Sequence, residues 1–425
     1  MELRLDRLLH ALRERPIPIL EAIDRDPLLL KRESGPLVLA NPSQALYTPQ
    51  EEHQLYAKGI VYRRDPYRLV SLPLIKIYNL GERDVTITDL AALTDEPRVR
   101  LRFLRKIDGS LVQVFRHEGR VWFTTRGMIE GARPRKGQET GEDCAGFDYI
   151  GTARRIAAER YPRLLEDPSL LADRTLIFEL IHPAAQKVTN YGERSDLILL
   201  ACFDQRRLAY DTYPEVAVRG QAHGLSVVDA LSPPGATLAE QIERLLAALA
   251  GSDQEGSVLQ FERPDEVIYR VKVKSPDYLR LMRAMAECTY ERLVTILTEN
   301  PHLTNWPEVE AFLKAQGRDT VPEEVLAFYR PHYERFAAYL ADCDRLHAWA
   351  EREYAKLEAH LGGRNERDTP AYRKKFAALA IRYPYCGLLF AALDGRLNSR
   401  RIRKLIRDPE QAKRAVLEVE QSHGE

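Results

Sequence analysis

Two apolar periods divide the chain. Near the N-terminus, Leu3, Leu5, Leu8, Leu9 and Leu12 leave an apolar stripe, and residues 1–35 read as helical with Pro16 interrupting the pattern. From Gly59 the pattern becomes that of strands. Gly59–Tyr62 and Tyr67–Leu72 flank Asp65-Pro66, which predicts a hairpin. Pro73 to Glu82 reads as a loop of mixed character. Leu111–Phe115 and Arg120–Thr125 predict two strands joined at His117-Glu118-Gly119, with Arg126-Gly127 following directly. Residues 132–147, rich in glycine and charge, read as an exposed loop, and a helix is expected over 152–165. Thr175–Ile181 and Leu197–Phe203 are apolar strands. Thr237-Leu238-Ala239-Glu240 opens a helix running to about Ala250, in the manner of a capping box. Glu255 to Leu259 and the alternating Val267–Lys274 complete the strands. Beyond Tyr278 the strand signals stop, and helical patterns run over 278–300, 321–361 and 371–417, with breaks at Gly362-Gly363 and Asn398-Ser399. The pattern predicts an α+β domain over residues 1–280, made of antiparallel sheets flanked by helices. An all-α domain follows over 281–425.

Composition narrows the class. With 44% apolar and 30% charged residues the chain is globular, and 425 residues favour two cores over one. No apolar run reaches the roughly 18 residues that cross a bilayer, and the first residues lack the basic start and apolar core of a signal peptide. Cysteines 144, 202, 288, 343 and 386 are scattered and form no C-x-x-C pair, so neither a zinc knuckle nor a disulfide framework is indicated. A reducing cytoplasm is the expected location. The 63 basic residues cancel the 63 acidic ones, so a polyanion would have to be held by a local patch.

Such a patch is visible. On a strand the period of two puts Ile268, Arg270, Lys272 and Lys274 on one face, and Tyr269, Val271 and Val273 on the other. Three cations in a row repel one another unless an anion sits opposite. Lys106, in Lys106-Ile107-Asp108-Gly109-Ser110, follows Arg102 and Arg105; a lysine becomes a nucleophile only where cations or burial make its proton easier to lose. Glu179 stands inside an apolar strand, where a carboxylate needs a metal, a cation or hydrogen bonds. Glu255-Gly256 opens another strand, and its glycine permits close backbone approach. Each stretch alone also fits a turn or a solvated face.

In order, these stretches read K-x-D-G-S, F-E, E-G-x-V and K-x-K. The set resembles the covalent nucleotidyltransferases (ATP-dependent DNA ligases, RNA ligases and mRNA capping enzymes), and most closely the phage RNA ligase 1 type. Lys58-Gly59-Ile60, the run Pro73-x-x-Lys76-x-x-Asn79-x-x-Glu82, Thr125-Arg126-Gly127 and Lys272-Val273-Lys274-Ser275 before Tyr278 carry the finer likeness, over about residues 45–280. The family has an arginine where this chain has Lys58, and a lysine cannot grip a phosphate bidentately. The resemblance implies that Lys106 attacks ATP to form lysine-AMP, that AMP passes to an RNA 5′-phosphate, and that a 3′-hydroxyl then displaces it. Lys272 and Lys274 would neutralise phosphates beside Lys106. Asp108, Glu179 and Glu255 would hold Mg²⁺ or Mn²⁺ through its water shell, and the nucleotide would also touch Gly109, Lys58, Lys76 and Arg126.

The alternatives are a DNA ligase or GTP-using capping enzyme, which usually carry a β-barrel after the K-x-K strand, and a catalytically silent RNA-binding relative. The family suggests nicked tRNA as substrate. No G-x-x-x-x-G-K-[ST] loop is present, so a separate kinase and phosphatase would have to prepare the ends. Arg400, Arg401, Arg403 and Lys404, with Arg407, and the Arg373-Lys374-Lys375 run interleaved with Tyr372, Phe376 and Tyr383, are candidate RNA contacts. A solvated helix face is the commoner origin of such clusters.

Overall fold

The computed structural model describes residues 5–421, apart from 44–45, 47–48, 83–84, 133–146, 301, 317–322, 363–368 and 407. The expected loop at 132–147, Cys144, Gly363 and Arg407 therefore lie largely or wholly outside the described residues. Two compact units divide the chain, Met1–Met282 and Arg283–Glu425. Among the described residues no helix is long and apolar enough to cross a membrane.

The first unit is built on three sheets. β1 (Leu29–Ser34), β2 (Leu37–Pro42), β3 (Ile60–Arg64) and β4 (Tyr67–Ser71) form an antiparallel meander. This corrects the reading of 1–35 as helical. Helices occupy Leu5–Glu14 and Pro16–Arg25, and the chain then turns into a hairpin at Gly35, whose φ of +57° suits glycine. The leucines at 28–30 pattern equally as helix or strand, and the turn decides.

The other two sheets face each other across the site. The central sheet contains β7 (Ser110–His117), β8 (Arg120–Thr125), β9 (Arg174–Ile181), β10 (Asp196–Asp204) and β11 (Ala209–Tyr210), in the order β11-β10-β9-β7-β8. β12 (Ser226–Val227) joins β10 in parallel. In the third sheet, β6 (Arg100–Lys106) and β14 (Gly256–Glu262) lie between β13 (Ala230–Leu231) and β15 (Val267–Lys274), and β5 (Tyr78–Asn79) runs parallel to β15 at the edge. The sheets are thus antiparallel except at these two short pairings. The central sheet buries Val112, Phe123, Phe178 and Leu199 against Ala153 and Ile156 of the helix Tyr149–Arg160. The third buries Phe103, Leu259, Phe261 and Val271 against Leu90 and Leu93 of Ile87–Thr94 and Ile242 and Leu245 of Leu238–Ala248. Helices therefore close the outer faces, and the polar inner faces are left to each other. Thr237 caps Leu238–Ala248 as expected, accepting from Glu240 N at 3.2 Å. The helix expected at 152–165 begins earlier, at Tyr149, and breaks before Arg163–Glu166, where Pro162 enters.

Buried polar side chains join the first sheet to the second. Ser71 Oγ donates to Gln113 Oε1 at 2.8 Å, Gln113 Nε2 donates to Gly59 O at 2.7 Å, and Thr175 Oγ1 reaches Ser71 Oγ at 3.0 Å. This chain fixes the backbone at Gly59, and so the place of Lys58.

The second unit is all helical. Glu323–His360, 38 residues with Pro331 inside, is its spine; Tyr290–Glu299, Cys386–Leu393, Ser399–Leu405 and Pro409–Gln421 pack along it. Leu346, Phe376, Leu389, Ile402 and Ala415 are fully buried in that bundle.

Gly256 is the tightest point of the third sheet. It has φ +139°, and a Cβ there would lie 2.1 Å from Val273 O. Gly256→Ala should cost about 1–3 kcal/mol through overpacking, read as a lower denaturant midpoint; a wild-type midpoint would show that the strands can part without cost.

Candidate functional site

Lys106 is the last residue of β6, and Ile107-Asp108-Gly109 carries the chain from the third sheet into β7 of the second. The candidate nucleophile therefore sits where the two facing sheets are tied together. The link is held from three sides. Gly109 N donates to Glu179 Oε1 at 3.1 Å, and a Cβ on Gly109 would lie 2.4 Å from Leu180 O. Lys187 Nζ donates to Gly109 O. Asp108 is buried: Val188 N and Thr189 N donate to its Oδ2, and Tyr278 OH donates to its Oδ1, each at 3.0 Å. Its own amide donates to Tyr191 OH at 2.8 Å.

The register of the third sheet gathers the charges. Gly256 pairs with Lys106 on one side and Lys274 on the other, which brings Glu255 to both lysines. Glu255 is 4% exposed; its Oε2 lies 2.5 Å from Lys106 Nζ and its Oε1 2.8 Å from Lys274 Nζ. One step along, Lys272 stands opposite Val258. Burial, then the charges of Lys106, Lys274 and Lys76, push Lys272 down to about 8. Lys58 is pushed down to about 7, first by burial and then by Lys272, Lys76 and Arg126. Burial raises the Glu179 carboxyl, Glu255 adds to this, and Lys106 and Lys187 oppose it. These groups share a cavity of about 590 Å³, whose wall also includes the apolar Leu104, Leu200, Val228 and Val258 and the polar Gln260 and Arg270.

Of the residues singled out in the sequence, Lys58, Lys106, Asp108, Gly109, Arg126, Glu179, Glu255, Lys272 and Lys274 all line this cavity. Lys76 does not. Its Nζ lies 3.6 Å from Glu82 and 5.0 Å from the centre of the Tyr78 ring, close enough to Lys58 and Lys272 to act on them only through its charge. Asp108 lines the cavity in a different state from the one expected: three of its roughly four acceptor positions are occupied by protein donors. One water-mediated contact is the most it can add. Ile268 leaves the cationic face for the core, because a bulge between Phe261 and Glu262 shifts the register. Arg400, Arg401, Arg403 and Lys404 are exposed on Ser399–Leu405 of the second unit.

Sequence reading gave no role to Lys187, Tyr191, Gln260 or Arg270, and took Tyr278 only as a flank. The period of two did place Arg270 on the correct face. Nothing local marks Lys187, which lies in a loop and meets Gly109 only in the fold.

Among the described residues no group of three or more His, Cys, Asp and Glu side chains could hold a metal directly. Glu179 and Glu255, two buried carboxylates beside one lysine, fit a cation held through its waters.

The depressed lysines have a pH signature. Lys58 and Lys272 bind protons more weakly in the folded chain than at the ordinary lysine value of 10.5, so between about 7 and 10.5 the unfolded chain holds more protons. Stability of the empty protein therefore rises with pH through that window and is lowest below it. A polyanion reverses the depression. Pyrophosphate at pH 8 should bring roughly one proton with it, measurable by calorimetry in two buffers of different ionisation enthalpy; no uptake would place the anion elsewhere. Lys58→Met should raise the thermal midpoint near pH 6 while weakening pyrophosphate binding.

Comparison with known proteins agrees with this geometry. A family model described as RNA ligase matches residues 56–278, more than half of the chain and all the cavity's principal charges. An RNA ligase of Rhodothermus phage RM378 is 23% identical over 382 residues, covering 81% of this chain and 82% of the relative. Among solved structures, an archaeal ATP-dependent RNA ligase aligns at 15% identity with a TM-score of 0.44, covering 79% of this chain and 82% of that one. A Naegleria gruberi RNA ligase with PPi aligns at 18% identity with a TM-score of 0.35, covering 48% of this chain and 56% of that one, so the chain spans about half of its length. Because the family model covers more than half of the chain, the chain belongs to the RNA ligase family.

Proposed function

We propose that this RNA ligase joins a 5′-phosphate to a 3′-hydroxyl RNA end through an AMP carried on Lys106, with ATP as donor. The observation that carries the reading is Lys106 Nζ at 2.5 Å from Glu255, in a cavity whose other cations, Lys58, Arg126, Lys272 and Lys274, outnumber the carboxylates facing them. Such a cavity is complementary to a triphosphate.

In the first step Lys106 Nζ attacks the α-phosphorus and pyrophosphate leaves; Glu255, the nearest acceptor, takes the ammonium proton. Lys272 and Lys274 stabilise charge on the phosphates as the P–O bond breaks, and Lys58 and Arg126 hold the departing end. Glu179 keeps the Gly109 turn in place and faces the ribose. In the second step an oxygen of the RNA 5′-phosphate attacks the same phosphorus, and Lys106 leaves as the amine, its nitrogen taking back the proton held by Glu255. In the third a 3′-hydroxyl attacks the activated 5′-phosphate, releasing AMP. A divalent ion, Mg²⁺ or Mn²⁺, supplies further charge neutralisation when bound, and Glu179 and Glu255 would hold it through its waters. Asp108 acts as a hook that fixes the link beside the nucleophile.

The first unit performs the nucleotidyl transfer, and the second offers Arg400, Arg401, Arg403 and Lys404 to RNA phosphates. RNA repair, with nicked tRNA as substrate and a separate enzyme to heal the ends, is the setting this chemistry suits.

Label transfer from α-labelled ATP tests the reading. Wild-type protein should form an acid-labile adduct reversed by pyrophosphate, and Lys106→Ala should fall to background. An adduct with GTP in preference to ATP would move the reading to a capping enzyme, and no adduct from folded, AMP-free protein would favour a silent RNA-binding relative.

A further inference from the structure

The mouth of the cavity has a composition of its own. Among the described residues that line it, Arg126 and Lys187 alone are exposed, and both stand where the central sheet ends. Arg126 directly follows β8. Lys187, from the loop after β9, donates to Gly109 O just ahead of β7. A lysine carries three N–H donors, and Gly109 takes one of them. The steps above use Arg126 for pyrophosphate and leave Lys187 without a part.

An aromatic group stands at the same end. The helix Tyr149–Arg160 covers the face of the central sheet that is turned away from the cavity. Its first residue nonetheless lines the cavity, so Tyr149 reaches round the end of the sheet to do so. Tyr149 is half-buried, packed in part on the sheet's outer core. Phe147 meets it in a T-shaped contact, with ring centres 4.8 Å apart and planes at 77°, and lies 5.1 Å from the ring of His182, the residue after β9. One T-shaped contact occupies at most one face of the tyrosine. The cavity's other tyrosine, Tyr278, is buried and engaged on Asp108.

Reaction geometry decides what passes this mouth. In a displacement at phosphorus the attacking and leaving groups lie roughly in line. Pyrophosphate therefore departs on the side opposite Lys106. In the second step Lys106 itself departs, so the RNA 5′-phosphate must enter on the side that pyrophosphate has left. Its phosphate is then held among the cations, and the nucleotide that carries it extends outward. The first base beyond the phosphate arrives at the mouth.

We infer that Tyr149 is the platform on which the 5′-terminal base of the RNA stacks during AMP transfer. Arg126 and Lys187 supply the charge for the backbone that leads away from it. This rests on the reading of Lys106 as the AMP carrier. The contact is indifferent to base identity, since every base has a π-face, so it fixes the RNA end without selecting its sequence.

Two readouts on the full-length protein test this. In the first, protein labelled on Lys106 transfers AMP in a single turnover, below saturating RNA, to 5′-phosphorylated RNA that lacks the base of its first nucleotide or, as a control, of its fourth. Loss of the first base should slow transfer by wild type roughly 5- to 100-fold, and loss of the fourth should not. Tyr149→Ala should slow transfer to intact RNA by a similar factor, beyond any effect on self-labelling, and should no longer distinguish the abasic end. Tyr149→Phe, which keeps the ring, should restore most of the rate. In the second readout, ATP-free protein, in which no bond can form, binds saturating RNA with 2-aminopurine as the first base. Its fluorescence falls on stacking, and Tyr149→Ala should remove that quenching. Equal transfer by wild type to RNA with and without its first base would overturn the inference, and that arm does not depend on any variant folding. So would a Tyr149→Ala protein slowed equally on intact and abasic RNA, which marks a structural ring. An unquenched 5′ reporter, or quenching only of a reporter at the 3′-hydroxyl end, would overturn it whether or not the protein labels. Wild type that fails to label but quenches the 5′ reporter through Tyr149 would refute the lysine-AMP chemistry and leave the stacking contact standing.

Discussion

Glu255 is the constraint on which the site depends. It is a buried carboxylate held between two lysines, and neither partner could be lost without leaving a charge in a poorly solvated place. Its position is set by backbone before any charge is considered. Gly256 allows β6, β14 and β15 to close at one level, and a side chain there would strike Val273 O. The same closure puts Lys106 at the end of its strand, where the chain must cross to the facing sheet. The nucleophile stretch is thus a hinge between sheets held rigid, and Asp108 accounts for much of the rigidity through donors from the 188–189 backbone and from Tyr278.

The remaining charge is not balanced by protein. Lys58 and Lys272 sit where burial and neighbouring cations work against their protons, a condition that stability alone would not select. In a chain with equal numbers of basic and acidic residues the surplus is local, and it marks the cavity as built for an anion that arrives from outside. Strain of this kind is released by binding, which couples affinity to the same burial that destabilises the empty site.

Much of this was legible in the sequence. Strand alternation put Lys272 and Lys274 on one face, and the order of the short motifs pointed to Lys106, Glu179 and Glu255, which the fold brings to one cavity. What alternation could not supply was register. Ile268 was assigned to the cationic face because a bulge one strand away is invisible in the run Val267–Lys274 itself. The strand Leu29–Ser34 falls in the stretch read as helix because leucine and lysine suit either state, and the decision falls to a turn at Gly35. Lys187 and Tyr191 come from a loop that meets the nucleophile only after β9 and β10 are laid down, so no local signal could have found them. Asp108 shows a different limit: residue type announced a carboxylate near the phosphates, but only the fold shows three protein donors already on it.

The cavity is therefore polarised along the strands in a way that composition conceals. One end gathers the ammonium groups of Lys106 and Lys274 around Glu255, and a lysine, as a point charge, accepts many arrangements of anionic oxygens. Two rows along, β15 presents the planar guanidinium of Arg270, held by Gln260 and stacked near Tyr210. Leu104 and Val258 share their row with Lys272, so apolar and cationic side chains line the cavity at the same level. What each row presents is thus set by register, so that a glycine or a bulge on one strand decides which side chains the other two bring to the cavity.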